Sequence, residues 1–489
     1  MSALDVKHHP VGMWCMSTVY AFFTFAFGGI NSVLVLFLIK HVGMSSAHAY
    51  EIYAAFNSLV FTYPLIGGYL ASRFGYKQIT IIGFLFCIVG IFLLLHSHYY
   101  TMCLGLAGFI VGYGMCTTTC FALVGLFYDK HDVRRESGYT MFYLLFNFGF
   151  LTGIIINGYI AQYLGYLYTF FIDAISVTIS LILFISFSKW IRAAEGQSLA
   201  PQVNFSSFNI ISIPVLVGVI TLPLVCLLLM FTKLNSELLL IFLLISVGVV
   251  LWMAHQQKEK IDKKRLYAFL ALLIISLAFW SLYMLEPSLL TVFIDRNVDR
   301  HVFGSVIPAS VYYSLDAVFV IILGYVFSRL WWYLGHKGKD LSIPAKFTLS
   351  LISMGTGYLI LALGVQFVNA EYLTNSIWIV LCYLFLSSAE LLLAPISLSM
   401  TGRLAPPGKE GTLMGVFQVF PGYAAVVSGY LANLTTTPGV GAPMKTNPVY
   451  SHVFFELGAV TVVLGLIAAT FVPMIKKLIR HDQQEVLNA

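Results

Sequence analysis

"GYLASR", residues 68–73, returns as "GYVFSR", residues 324–329, with four of six positions identical. The first copy ends the second apolar run of the chain and the other ends the tenth. If the seventh and eighth runs are an insertion, each copy follows the second helix of a six-helix half, and the halves are parallel repeats. The sequence then divides into an N-terminal bundle, 1-192, a linker with two extra helices, 193-264, and a C-terminal bundle, 265-489. Glycine and serine in the motif predict close helix approach, and a helix-terminal arginine is placed to cap carbonyls and tie neighbouring helices. Gly68, Arg73, Gly324 and Arg329 are therefore the gating candidates.

The rest of the chain fits such a scaffold. Of 489 residues, 59% are hydrophobic and 10% charged, which excludes an ordinary soluble domain. Runs long enough to cross a bilayer as helices lie near 12–39, 50–71, 78–95, 102–127, 139–162, 166–188, 208–231, 237–254, 267–292, 307–332, 346–367, 375–400, 411–434 and 451–475. That makes fourteen transmembrane helices in an all-α polytopic membrane protein, with its termini on one side.

The basic residues say which side. Only Lys40, Lys233, Arg296, Arg300 and Lys445 fall opposite the termini, and the other 22 of the 27 Lys and Arg lie with them, so both termini are expected in the cytoplasm. The net charge of +6 reflects this bias and not a nucleic-acid surface, and the basic run 258–265 reads as a topology anchor. The first apolar run, 11–39, exceeds the roughly 7–15 residues of a signal-peptide core, so it is expected to stay as the first helix. Residues 198–207 are polar and read as a short linker. The seven cysteines lie mostly inside apolar runs without metal or disulfide spacing and are expected to pack. No P-loop, metal-ligand spacing or enzyme signature is found, so neither cofactor nor catalysis is expected.

Every Lys and Arg falls in a loop or at a helix end, which leaves the bilayer interior without a fixed cation. Five acids do fall inside or near the ends of apolar spans: Asp173, Glu286, Asp316, Glu390 and Glu456. Glu456 reads as a helix-start residue, Asp173 as hydrogen-bonded to a neighbouring helix, and Glu286 precedes Pro287, where the helix is expected to bend. Without a cationic partner, an embedded carboxyl is stabilised by taking a proton or by binding a cationic ligand, and both suit a secondary transporter. Glu390, Glu286 and Asp316 are the proton-coupling candidates.

Three further stretches carry a family resemblance: "GYTMFYLLFNFGFLTGIIINGYI", "LTVFIDRNVDRHVFGSVIPASVYYSLDAVFVIIL" and "AELLLAPISLSMTGRLAP". They resemble the proton-dependent oligopeptide transporter family of the major facilitator superfamily, over nearly the whole chain, and the two extra helices are typical of its bacterial members. The resemblance implies an alternating-access carrier of small peptides or peptide-like molecules, coupled to protons, in a bacterial cytoplasmic membrane, here expected as a monomer. It also implies that Glu390 receives the substrate ammonium and Asn147 a peptide carbonyl or amide.

The sequence departs from the family where the family keeps its charges. A gapless match places Tyr20, Phe23 and Thr24 at the E-x-x-E-R positions of the first helix, Phe27-Gly28-Gly29 at Tyr-Tyr-Gly, and Asn31 at the following arginine. Thr117 stands at a fourth-helix lysine, and Tyr283 and Met284 at glutamates that open the second half. By the same match Tyr20, Phe23, Phe27, Trp280, Tyr283 and Phe417 line the cavity, while Gly28-Gly29 permits close packing. Asn31 and Thr117 meet the substrate carboxylate with neutral groups, which favours cationic or C-terminally blocked molecules. A facilitator or exporter of cationic small molecules, or a non-transporting receptor, are the alternatives at this point.

Overall fold

A computed structural model describes residues 9–96, 98–128, 132, 134–190, 208–302, 304–337, 341–406, 409–436 and 441–479. The expected linker 198–207 and the basic residues Lys7, Lys130, Arg192, Lys339 and Arg480 lie outside these. In hydrocarbon every backbone N–H and C=O must be satisfied within its own segment, so the apolar runs fold as helices. Among the described residues thirteen helices are long and apolar enough to cross a membrane, and the chain is a multi-pass membrane protein.

The chain forms two compact units, Met1–Asn235 and Ser236–Ala489. The first holds α1 (Val11–Leu36, running into a π turn Phe37–His41), α2 (Ser46–Thr62), α3 (Pro64–Phe74), α4 (Tyr76–Leu94), α5 (Tyr99–Leu126), α6 (Arg135–Tyr163), α7 (Tyr166–Ser186) and α8 (Phe208–Met230). The boundary falls within α9 (Thr232–Gln256). The second unit continues with α10 (Lys260–Tyr283), a π turn (Glu286–Leu290), α11 (Thr291–Asn297), α12 (Ser314–His336), α13 (Ile343–Gly364), α14 (Ile377–Leu404), α15 (Glu410–Asn433) and α16 (Pro443–Ile479). Between α11 and α12, β2 (His301–Val302) pairs antiparallel with β3 (Ser305–Val306), while β1 (Val298–Asp299) pairs parallel with β4 (Thr374–Asn375).

Each unit repeats one packing scheme. In the first, α1 packs on α6 and α7, the α2–α3 pair on α5 through α3, and α4 on α5 and α7. In the second, α10 packs on α15 and α16, α12 on α14, and α13 on α14 and α16. Counting helices within each half, first meets fifth and sixth, second meets fourth, and third meets fourth and sixth. This is the recurrence expected of parallel repeats with the major facilitator fold. Of the two extra helices, α8 rests against α5, and its Thr221 hydroxyl bonds the Tyr63 phenol at 2.7 Å.

The expected second helix, 50–71, is broken at Tyr63, which is why thirteen continuous spans stand against fourteen expected. Pro64 lacks an N–H and interrupts the i→i−4 ladder, so α3 starts afresh with proline at its first position. A second correction concerns Glu456. The last helix begins at Pro443 and not near 451, so Glu456 lies well beyond the first turn, 54% exposed, paired with His452 at 3.1 Å. It is not a helix-start residue. The expected span ignored the first turns because they are polar, and a helix is free to extend past the apolar thickness.

The glycines of the repeated motif correct a third expectation. A Cβ built at Gly68 meets nothing nearer than Thr118 at 3.8 Å, and one at Gly324 only Leu391 at 3.8 Å. The tight contact is one residue earlier, where a Cβ at Gly67 would stand 2.2 Å from the Gly114 carbonyl oxygen. Gly68→Ala is therefore expected to be neutral or to stabilise by up to about 1 kcal/mol, as alanine does for glycine inside a helix. A drop in melting temperature for Gly68→Ala would contradict this placement.

Candidate functional site

In the second unit, Pro287 prevents a regular ladder where α10 ends, and the backbone passes through the π turn before resuming as α11. Ser288 and Thr291 hydroxyls donate to the carbonyls of Met284 (3.0 Å) and Glu286 (3.2 Å), which repairs part of the lost bonding. The bend expected at Glu286-Pro287 is thus present, and it leaves Glu286 fully buried with neither carboxyl oxygen hydrogen-bonded.

Asp316, in the first turn of α12, is buried and collects donors from two other helices. The Ser387 hydroxyl of α14 donates to Oδ1 at 2.8 Å, and the Tyr283 phenol at the end of α10 donates to Oδ2 at 3.2 Å. Glu390, nearly one turn after Ser387 on α14, is in hydrogen-bonding reach of Asp316 and Tyr283, while its Oε2 has no partner. Glu286 is within electrostatic range of both other acids. A hydrogen bond between two carboxyl groups needs a proton on one of them, because an ionised carboxylate only accepts. Asp316 and Glu390 stand close enough for such a pair, with a third carboxyl beside them.

No cation balances this cluster among the described residues. Asp262–Arg265, Asp295–Arg300, Asp299–His301 and Glu456–His452 are ion pairs of the second unit, and no described cation stands beside Glu286, Asp316 or Glu390. Beside the acids, Trp280 meets the Tyr283 ring edge-on at 5.3 Å, and Tyr283 stacks on Phe279 at 5.8 Å. Phe417 is buried on α15. Structure thus brings Tyr283, Glu286, Asp316 and Glu390 together, with Trp280 adjoining.

In the first unit, the positions that the resemblance matches to family charges carry two rings and three small neutral side chains. Tyr20 is fully buried, stacked on Phe142 at 4.9 Å and Phe146 at 5.8 Å. Phe23 stacks on Tyr113 at 5.6 Å, and Phe27 lies 4.5 Å from the same ring. Thr24 donates to the Phe146 carbonyl at 3.1 Å, a bond from α1 to α6. Thr117 sits beside the phenols of Tyr20 and Tyr113. Asn31 accepts from the Tyr53 phenol, so its amide is engaged by α2. Asn147 is partly exposed on α6 and donates only to the Tyr143 carbonyl of its own helix, at 2.9 Å, which leaves its oxygen available.

Gly28-Gly29 does serve close packing. A Cβ at Gly28 would fall 2.4 Å from the Phe150 carbonyl oxygen, and one at Gly29 2.2 Å from Asn157.

The repeated motif holds a feature that residue types alone could have shown. Tyr69 precedes Arg73 by four positions and Tyr325 precedes Arg329 by four, so each pair shares a helix face. The Arg73 guanidinium lies 5.6 Å from the Tyr69 ring centre and that of Arg329 5.3 Å from Tyr325, with a 3.0 Å bond to the Tyr325 hydroxyl. Cation–π pairing with an exposed tyrosine is thus the local role of both arginines.

Comparison with known proteins fits this architecture. The chain is 28% identical over 467 residues to dipeptide and tripeptide permease B of Salmonella typhimurium, covering 94% of each. It is 29% identical over 462 residues to the protein of the same name from Shigella dysenteriae, covering 93% of each. Among solved structures, a peptide transporter POT in complex with sulfate superposes with a TM-score of 0.84 at 23% identity, covering 96% of both chains. A POT family transporter in complex with 5-aminolevulinic acid superposes with a TM-score of 0.82 at 22% identity, covering 96% of this chain and 97% of that one. The family model of the POT family matches residues 68–448, well over half the sequence, and the chain belongs to that family.

Proposed function

We propose that this chain is a proton-coupled carrier of small peptides or peptide-like molecules, working by alternating access in a bacterial cytoplasmic membrane with both termini inside, as a monomer, with residues 193–264 inserted between its halves. It performs no covalent chemistry and needs no cofactor. Its relatives are named dipeptide and tripeptide permeases. The observation that carries the reading is the acid cluster of Glu286, Asp316 and Glu390, embedded without a cation. Such a cluster is stabilised by a proton or by a substrate ammonium, and an exchange between the two couples their movement.

In this reading Glu390 takes the substrate ammonium, while Asp316 and Glu286 hold the proton that the ammonium displaces. Tyr283 and Trp280 wall the ammonium pocket, with Phe417 behind them. Asn147 offers its free amide oxygen to the peptide backbone. Asn31 and Thr117 present neutral groups at the carboxyl end of the substrate, with Tyr20 packed behind Thr117. Gly68–Arg73 and Gly324–Arg329 are the gating segments.

The test is uptake of a labelled dipeptide into proteoliposomes with and without an inward proton gradient, in competition with its C-terminal amide. Gradient-dependent accumulation is expected. Hydrogen bonds to a charged group contribute about 1.5–3 kcal/mol, so a carrier with a fixed cation for the carboxylate would lose tenfold or more on amidation. Here the amide is expected to compete within about tenfold of the free acid, and a larger loss would contradict the neutral carboxyl end.

A further inference from the structure

The first unit contains an acid that the acid-cluster mechanism leaves unused. Asp173, on α7, and Asn157, on α6, are both fully buried. The Asn157 amide donates to Asp173 Oδ1 at 3.0 Å and to the Gly153 carbonyl at 3.0 Å, which spends both of its hydrogens. Asp173 Oδ2 and Asn157 Oδ1 are left without hydrogen-bond partners. An amide and a carboxylate facing each other through one bond thus leave one bare acceptor each. A proton on Oδ2 turns one of those acceptors into a donor suited to the amide oxygen, whereas an ionised group leaves an unpaired charge in an apolar core.

The surroundings offer no alternative compensation. The elements packed on α7 are α1, α4 and α6. From α4 the nearest candidate cation is Lys77, at the helix start, and from the α1 side His41, on the π turn, lies by Tyr166, about two turns from Asp173. The other titratable groups that α1, α4 and α6 carry in their spans are phenols and thiols, with Arg135 and Glu136 at the start of α6, about six turns before Asn157. None of these bonds or pairs with Asp173. On the remaining side the α1 backbone itself closes over the pair, since a Cβ at Gly29 would stand 2.7 Å from Asp173 Oδ1.

We infer that Asp173 is a second proton-binding site of the transport cycle, in the first unit, with Asn157 as the group that positions its proton. The inference rests on the proposed proton coupling and adds a carrier to it: the proton enters at Oδ2, sits against the amide oxygen, and leaves to water when the cover at Gly29 parts.

Steady-state accumulation of a neutral dipeptide reads the number of coupled protons directly. With the membrane potential clamped at zero, one proton supports about tenfold accumulation per pH unit of gradient and two support about 100-fold. Wild type is expected to show the steeper dependence and Asp173→Asn, which keeps the shape of the group, the shallower one. Equal slopes in the two proteins overturn the inference.

If wild type accumulates no dipeptide at all, it is the proposed function that fails. Infrared spectra of the purified protein then test the inference alone: a protonated-carboxyl carbonyl band should vanish in Asp173→Asn, and an unchanged spectrum overturns it. Should Asp173→Asn not survive purification, Asn157→Leu keeps the acid and removes its partner. The pH optimum of uptake should then move by about one unit or more, and an unmoved optimum counts against the pair.

Discussion

Replacing Glu390 by glutamine is expected to lower gradient-driven dipeptide uptake by about 100-fold, because removing one member of a desolvated charge pair costs roughly 3 kcal/mol or more. The substitution removes two things at once. In the proposed cycle the substrate ammonium loses its counter-charge, and Asp316 loses the neighbouring carboxyl to which a proton could pass. Folding should survive, since an amide at 390 still finds the Asp316 carboxyl and the Tyr283 phenol within reach and leaves no charge in the membrane. Tyr283→Phe, which deletes the 3.2 Å donor to Asp316 but keeps all three carboxyls, should cost far less. Uptake by Glu390→Gln within about threefold of wild type, at equal protein in the membrane, would remove the acid cluster from the mechanism.

Gly153→Val is expected to have the largest effect on stability. A Cβ at Gly153 would lie 2.1 Å from the Phe25 carbonyl oxygen, 2.8 Å from its carbon and 3.0 Å from its Cα, all of them backbone atoms of α1. Nothing there is a flexible side-chain end that could swing aside. The same seam is tight at Gly149, where the contact is the Ala21 carbonyl oxygen at 2.1 Å, and at Gly28 against Phe150. Overpacking costs about 1–3 kcal/mol even where side chains can yield, and α1 must move bodily here. Thermal unfolding in detergent should show a clear loss for Gly153→Val beside an unchanged Gly68→Ala. Similar melting temperatures for the two would mean that α1 and α6 do not pack as closely as described.

The architecture could be read from the repeated six residues because a motif at matched positions reports the repeat, whatever the intervening helices do. Pro64 is equally visible, yet the run 50–71 stays mostly apolar on either side of it, and hydropathy does not register a missing backbone donor. In α16 the reverse holds: its first turns are polar, so an apolar window begins eight residues late and makes Glu456 read as a helix-start residue.

The acids divide in the same way. Glu390, Asp316 and Glu286 were recognisable as charges in apolar runs, and Pro287 announced the bend. That Ser387 and Tyr283 hold Asp316, or that Asn157 holds Asp173 from sixteen residues away on the neighbouring helix, depends on rotation and register that no single helix encodes. Tyr20 shows the limit of a resemblance. The match gave it a cavity position, while the side chain is closed inside a stack of rings, where a tyrosine in place of a charge packs against its aromatic neighbours.

The most direct test of the coupling is to follow pH inside proteoliposomes with a trapped indicator while a neutral dipeptide is added outside, with no proton gradient imposed and the membrane potential clamped. The account predicts that the lumen acidifies as the peptide enters in wild type and that Glu390→Gln shows neither signal. Peptide entry at the wild-type rate with a constant internal pH would contradict it.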